Sequence, residues 1–173
     1  MVQLVSPDVA WHREWLAMAD EFEVGHIPGS AMAGRTQPDL AEPEAFATWV
    51  RERQANERGE QVPEHWVPDS LRWVVEDGEI IGTIHLRHRL NDWLLEEGGH
   101  IGYAVRPSAR GRGVARQALA LMLDECRVRG LDRVLLTCDD DNVASARTIE
   151  GGGGVLEDVR AGKRRYWVTV PPG

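Results

Sequence analysis

The run Arg110-Gly111-Arg112-Gly113-Val114-Ala115 constrains this chain most. A strand-like stretch, His100 to Pro107, leads into it, and a long amphipathic segment follows. A glycine-rich turn that opens a helix leaves several backbone N–H groups without intrahelical partners. Those donors and the helix dipole together form an anion site. The placement of arginine, glycine and a small residue at a strand–helix junction points to a cradle for a pyrophosphate, and hence to a nucleotide-bearing cofactor.

Composition narrows the remaining classes. The 173 residues form most simply one domain, 1–173, with enough chain for a real core. The formal net charge of −8 argues against a nucleic-acid binder, which needs a basic face. Arg106, Arg110, Arg112 and Arg116 nevertheless cluster with no acid between 106 and 116, a pattern suited to a small polyanion. The first residues lack the basic start and apolar run of a secretory signal, and no apolar stretch reaches membrane-spanning length. Cys126 and Cys138 form no CxxC pair and read as reduced thiols, so the expected location is cytoplasmic. The six histidines show no HExxH spacing, and no metal is expected. Val114-Ala115 stands where a Walker motif needs its lysine, which disfavours a nucleotide hydrolase.

Periodicity gives the element order. A short strand is predicted over Gln3 to Val5 and a helix over Asp8 to about Glu23, with Trp11, Trp15, Leu16, Ala19 and Phe22 at helical spacing. A loop over Gly25 to Pro38 precedes a second helix from Glu42 to about Arg58, and Pro63 to Pro68 is irregular. Two strands, Leu71 to Val75 and Glu79 to His88, flank an Asp77-Gly78 hairpin turn. On the second of these, Ile81, Thr83, His85 and Arg87 are expected to share a face. Asn91 to Gly99 is a loop. The helix after the glycine turn stops at Gly130, Arg133 to Cys138 is a buried strand, and Asn142 caps a short helix to Glu150. Val155 to Arg160 and Arg164 to Val170 close the chain as a hairpin.

This order, with Arg110, Gly113 and Ala115 at the defined positions of the turn, resembles the GNAT (GCN5-related N-acetyltransferase) superfamily. Cys138 to Ser145 is similar to the family's fifth strand end and following helix start. Gly99 to Tyr103, Val105 to Ser108, and Thr148 to Glu150 resemble a bacterial branch of predicted acetyltransferases. The resemblance implies an α/β (α+β) fold: a mixed, twisted, splayed sheet of six to seven strands flanked by about four helices. It implies acetyl-CoA as cosubstrate, with a primary amine of a small molecule or peptide as acceptor and a homodimer as a common assembly. Tyr103, Ala104 and Val105 would pair with the pantetheine arm. Backbone amides from Arg110 through Gly111, Arg112, Gly113 and Val114 to Ala115 would hold the diphosphate, and Asn142 and Ser145 would face the thioester.

The resemblance leaves the proton chemistry open. His100, at the start of the strand where relatives place a base, is the expected general base, with His85, His88 and Glu97 as competitors. Many relatives carry a proton-donating tyrosine where this chain has Ile149. Ser145, Tyr103 or a water is left to protonate the thiolate, and a non-catalytic acyl-CoA-binding module is the alternative reading. His88, Asn91 and Glu97 are expected at the acceptor mouth. Trp49, Trp66, Trp73 and Trp93 are candidate pocket walls, with Trp49 and Trp73 better suited to the core.

Overall fold

A computed structural model describes residues 1–172. Seven strands form one sheet: β1 (Gln3–Val5), β2 (Asp69–Glu76), β3 (Glu79–Arg87), β4 (Ile101–Val105), β5 (Arg133–Asp139), β6 (Gly154–Arg160) and β7 (Lys163–Thr169). Their spatial order is β1-β2-β3-β4-β5-β7-β6. Every neighbouring pair is antiparallel except β4 and β5, which run parallel. The α-helices among the described residues are α1 (His12–Ala19), α2 (Gln37–Ala41), α3 (Pro43–Glu57), α4 (Val114–Val128) and α5 (Val143–Gly151).

Two apolar clusters cover opposite faces of the sheet. On one, Trp15, Phe46 and Trp49 from α1 and α3 pack on Leu71, Trp73 and Ile80. Phe46 stacks on Trp73 with ring centres 6.1 Å apart, and Trp15 meets Trp49 edge-on at 5.6 Å. Trp49 and Trp73 are therefore core residues, and deleting either ring would cost about 3–5 kcal/mol. On the other face, α4 and α5 cover Ile84, Leu86, Ile101, Val134, Leu136 and Tyr166.

Three expectations need correction. The first predicted helix is a 3-10 turn, Val9–Trp11, capped by Asp8, followed by an α-helix that ends at Ala19. The predicted loop over 25–38 conceals the start of α2, whose capping box pairs Thr36 with Asp39. Ile81 does not share a face with Thr83. The β2–β3 register slips between Val74 and Val75, which turns Ile81 into the α4-side cluster and Ile80 into the tryptophan-side cluster.

Candidate active site

β4 and β5 share a single register pair, Ile101 with Leu136, and then separate. Just before that pair His100 N–H donates to Leu135 O at 2.7 Å, and Leu135 N–H donates to the His100 side chain at Nδ1, 2.9 Å away. The imidazole thus adds a rung on the closed side of the ladder. After Ile101 the edge of β4 is open. Arg106 N–H bonds back to Ile81 O at 3.0 Å, and antiparallel peptides alternate in direction. With Thr83 paired to Ala104 in that register, the Tyr103 and Val105 peptides turn away from β3 toward the gap. Ala104 turns its peptide to β3, so it does not present the edge expected of it. The Val105 carbonyl accepts Arg110 Nε at 3.0 Å, which leaves the Tyr103 peptide and the Val105 N–H open.

The glycine turn lies beside this gap. Gly111 and Gly113 both adopt φ +75°, a left-handed conformation that strains any residue with a Cβ. The first bond into α4 is Gln117 N–H to Gly113 O at 3.1 Å. Among the described residues, the amides from Gly111 to Arg116 have no acceptor within the protein. They fit a diphosphate. Three of the four clustered arginine side chains are committed elsewhere. Arg110 bends back to Val105 and the Phe22 ring, Arg112 pairs with Glu76, and Arg106 pairs with Glu79 and Glu21. The acids absent from 106–116 arrive from other elements and offset the charge of Arg106 and Arg112.

At the far end of the gap, Tyr103 Oη and Ser145 Oγ share a hydrogen bond of 2.9 Å. Burial, the largest influence, raises the phenol above its ordinary pKa, so it stays protonated at neutral pH. Asn142 uses its side chain as the cap of α5, accepting Ser145 N–H at 3.0 Å. Ile149 is fully buried in the α4-side core.

On the opposite face of β4 lies a cavity of about 310 Å³. Its roof is the segment before α2. Gly29 O accepts Thr83 Oγ1 at 2.6 Å, and a Cβ at Gly29 would sit 2.5 Å from Tyr103 N. That close approach, with φ +67°, demands glycine and brings the cavity against the middle of β4. Ala31, Ala33 and His65 also line the cavity, and all three hold left-handed φ values of 50°, 57° and 68°. Such strain persists where the surroundings over-determine it, and it concentrates at functional sites.

The cavity floor is charged. Asp69 and His85 line it, 1% and 4% exposed. Asp69 Oδ2 lies 3.2 Å from Arg53 Nη1 behind it and 3.2 Å from His85 Nε2, although the imidazole N–H points off that oxygen. His85 Nδ1 makes no hydrogen bond within the protein among the described residues, and the residue lines the cavity. Burial pushes the His85 pKa down, and Asp69 only partly opposes it, so the ring is neutral near pH 7. Burial would raise Asp69, but His85 and Arg53 outweigh it and hold the carboxyl below its usual range.

The other expected acceptor residues divide. Asn91 lines the cavity, caps Leu94 N–H at 2.9 Å and donates to His65 O at 3.0 Å. Trp66 and Trp93 form cavity walls. His88 does not belong there. Strand alternation turns it to the other face, where Nε2 meets Ser70 Oγ at 2.8 Å beside Arg129. The Glu97 side chain is exposed and lies outside the cavity lining; its carbonyl accepts the Thr137 hydroxyl. His100 is buried, its Nδ1 lone pair is occupied, and burial drives its pKa down to about 4. An imidazole so engaged carries its proton on Nε2 and is a strand-bridging group, not a poised base.

A mixed sheet that opens between two parallel central strands, with a free-amide turn beside the opening, is the architecture of the GNAT acetyltransferases. This chain belongs to that family: the model of the acetyltransferase (GNAT) family matches residues 36–150. It is 33% identical over 93 residues to a mycothiol acetyltransferase of Beutenbergia cavernae, a match that takes in 52% of this chain and 30% of the relative's length. Among solved structures, Mycobacterium smegmatis RimJ in complex with CoA-disulfide superposes with a TM-score of 0.69 at 21% identity, covering 97% of this chain and 81% of that one. The microcin C7 self-immunity acetyltransferase MccE, in complex with acetyl-CoA and AMP, gives a TM-score of 0.67 at 14% identity, with 98% and 92% covered. Salmonella typhimurium yncA with acetyl-CoA gives 0.60 at 16%, with 99% and 95% covered. These likenesses establish the fold. Among the described residues, no three metal-ligating side chains gather, and no helix is long and apolar enough to cross a membrane.

Proposed function

We propose that the protein transfers the acetyl group of acetyl-CoA to a primary amine bound in the 310 Å³ cavity. The observation that carries this reading is the pairing of two features across β4: an open strand edge with free amides on one side, and an imidazole–carboxylate pair facing a cavity on the other. The family, and complexes of its members with acetyl-CoA or CoA, support it.

In this reading the amides of Gly111, Arg112, Gly113, Val114 and Ala115 hold the diphosphate. The Tyr103 peptide and the Val105 N–H align the pantetheine arm. The coenzyme supplies an acyl group activated by a thiol leaving group. An aliphatic amine has a pKa of about 10.4 and must lose a proton before it attacks. His85 Nδ1 accepts that proton, directly or through a water, and Asp69 stabilises the imidazolium. The Tyr103 N–H is the donor best placed for the negative charge that develops on the acyl oxygen. The Tyr103 hydroxyl, held by Ser145, returns a proton to the leaving thiolate in place of the tyrosine that Ile149 replaces. Cys126 and Cys138, both free and buried, suit a reducing compartment such as the cytoplasm.

A thiol-release assay with acetyl-CoA and a panel of amines tests the proposal. Turnover of any amine that is lost in His85→Gln supports it. Tight CoA binding without turnover of any amine would favour a non-catalytic acyl-CoA-binding module.

A further inference from the structure

Building on the acetyl-transfer reading, we infer that the acceptor is an amine that also bears an oxyanion, a carboxylate or phosphate, held by Arg87 on the wall of the cavity, with an apolar body against Trp66 and Trp93. Arg87 stands two residues from His85 on β3 and pairs in register with Asp69 on β2, so all three share one face of the sheet. Its Nη1 donates to the carbonyls of Gly98, 2.8 Å away, and Gly99, 3.3 Å away, at the end of the π-helical turn Leu94–Gly98. Those two acceptors fix the guanidinium but leave its charge unbalanced. Nε and Nη2 make no bond within the protein among the described residues, and neither is sealed from solvent.

Asp69 only partly offsets the charge of Arg87. That carboxylate is the only acid lining the cavity among the described residues, and it already meets Arg53 and His85 at 3.2 Å. Two guanidiniums share one carboxylate, so one positive charge is left over in a partly desolvated space. A planar fork with two free N–H groups matches an oxyanion. Met32, Val67, Leu94 and the two exposed tryptophans give the wall an apolar part, beside the polar His26, His65 and Asn91. Because Arg87 and His85 project from the same strand face two residues apart, the oxyanion and the amine of one small acceptor reach both.

The test is calorimetry, with and without saturating CoA, of L-phenylalanine, L-leucine and L-methionine against their amides and decarboxylated amines. O-phosphoethanolamine against ethanolamine is the phosphate arm. The inference predicts that at least one anionic probe binds tenfold or more tightly than its uncharged partners. Arg87→Gln abolishes that ratio, and Arg87→Lys keeps part of it. A preference confined to the phosphate probe assigns the subsite to phosphate esters. Equal binding within every pair, a preference that survives Arg87→Gln, or no binding of any anionic probe at millimolar concentration overturns the inference. Thiol release separates the two readings. Arg87-dependent binding without turnover would remove the transferase and leave the subsite. Turnover indifferent to the anion would do the reverse.

Discussion

His85 Nε2 and Asp69 Oδ2 lie 3.2 Å apart on adjacent strands, both almost wholly removed from solvent and both lining the cavity. The pair forms because Leu71 is opposite His85 in the β2–β3 register, which places Asp69 one same-face step along. If His85 is the base, His85→Gln should lower kcat by about 10²–10⁴-fold while CoA affinity is unchanged. The pH profile carries a sign. Burial holds the imidazole pKa below 6.5, so kcat/KM should stay level from neutrality down to that value and fall only at lower pH. That acid limb should vanish in the variant. Stopped assays across pH, together with CoA titrations, measure both.

Asp69 also anchors structure. Removing one partner of a buried ion pair leaves the other charge uncompensated, at about 3–5 kcal/mol. Asp69→Ala should therefore destabilise the fold by that order through Arg53, 4% exposed behind it. Asp69→Ala with Arg53→Met should recover much of the stability but not the activity. Denaturant melts and turnover of the single and double variants distinguish the two contributions.

His100 should behave as a stability residue. Its pKa is pushed from 6.5 to about 4 in the folded protein, so the unfolded chain takes up a proton first as pH falls. Its contribution is complete above pH 6.5, declines between 6.5 and 4, and is level below that, a loss on the order of 3 kcal/mol. In His100→Asn this part of the slope should disappear. Overall stability should also drop by about 1–3 kcal/mol as the Leu135 N–H loses its acceptor. A change in the pH profile of kcat would instead return His100 to the chemistry.

Position 149 will not accept the tyrosine that many relatives carry. Ile149 is fully buried, and Gly154 packs against it so closely that a Cβ there would lie 2.5 Å from Ile149 Cγ2. Ile149→Tyr should overpack the core, costing about 1–3 kcal/mol with no gain in kcat. Tyr103→Phe removes the hydroxyl bonded to Ser145 and should lower kcat by more than it changes the KM for acetyl-CoA. Thermal melts and steady-state kinetics report each.

The fold was legible where periodicity and turn chemistry act locally. The predicted strands and the helix after Gly113 lie within two residues of their structural ends. The glycine turn was legible because left-handed backbone has few residue solutions. Register was not. The bulge at Val74–Val75 reassigned Ile81, and nothing local announces a bulge. The site was half legible. Alternation already put His85 and Arg87 on one face, but His88, expected at the mouth with them, turns to the other. Asp69 and Arg53 carried no signal, because only the β2–β3 pairing and the crossing of α3 bring them to His85. His100 misled because position on a strand does not reveal which lone pair is occupied. The arginine cluster misled because its partner acids, Glu21, Glu76 and Glu79, lie far away in sequence.

The most direct test of the central claim is calorimetric titration of the protein with CoA and acetyl-CoA, beside the same titration of Gly113→Val. The account predicts a saturable one-to-one isotherm at submillimolar concentration for the wild type, markedly weakened in the variant because the φ +75° turn that aims the amides is strained by a Cβ. No heat from either ligand at millimolar concentration, with the protein folded, would contradict it.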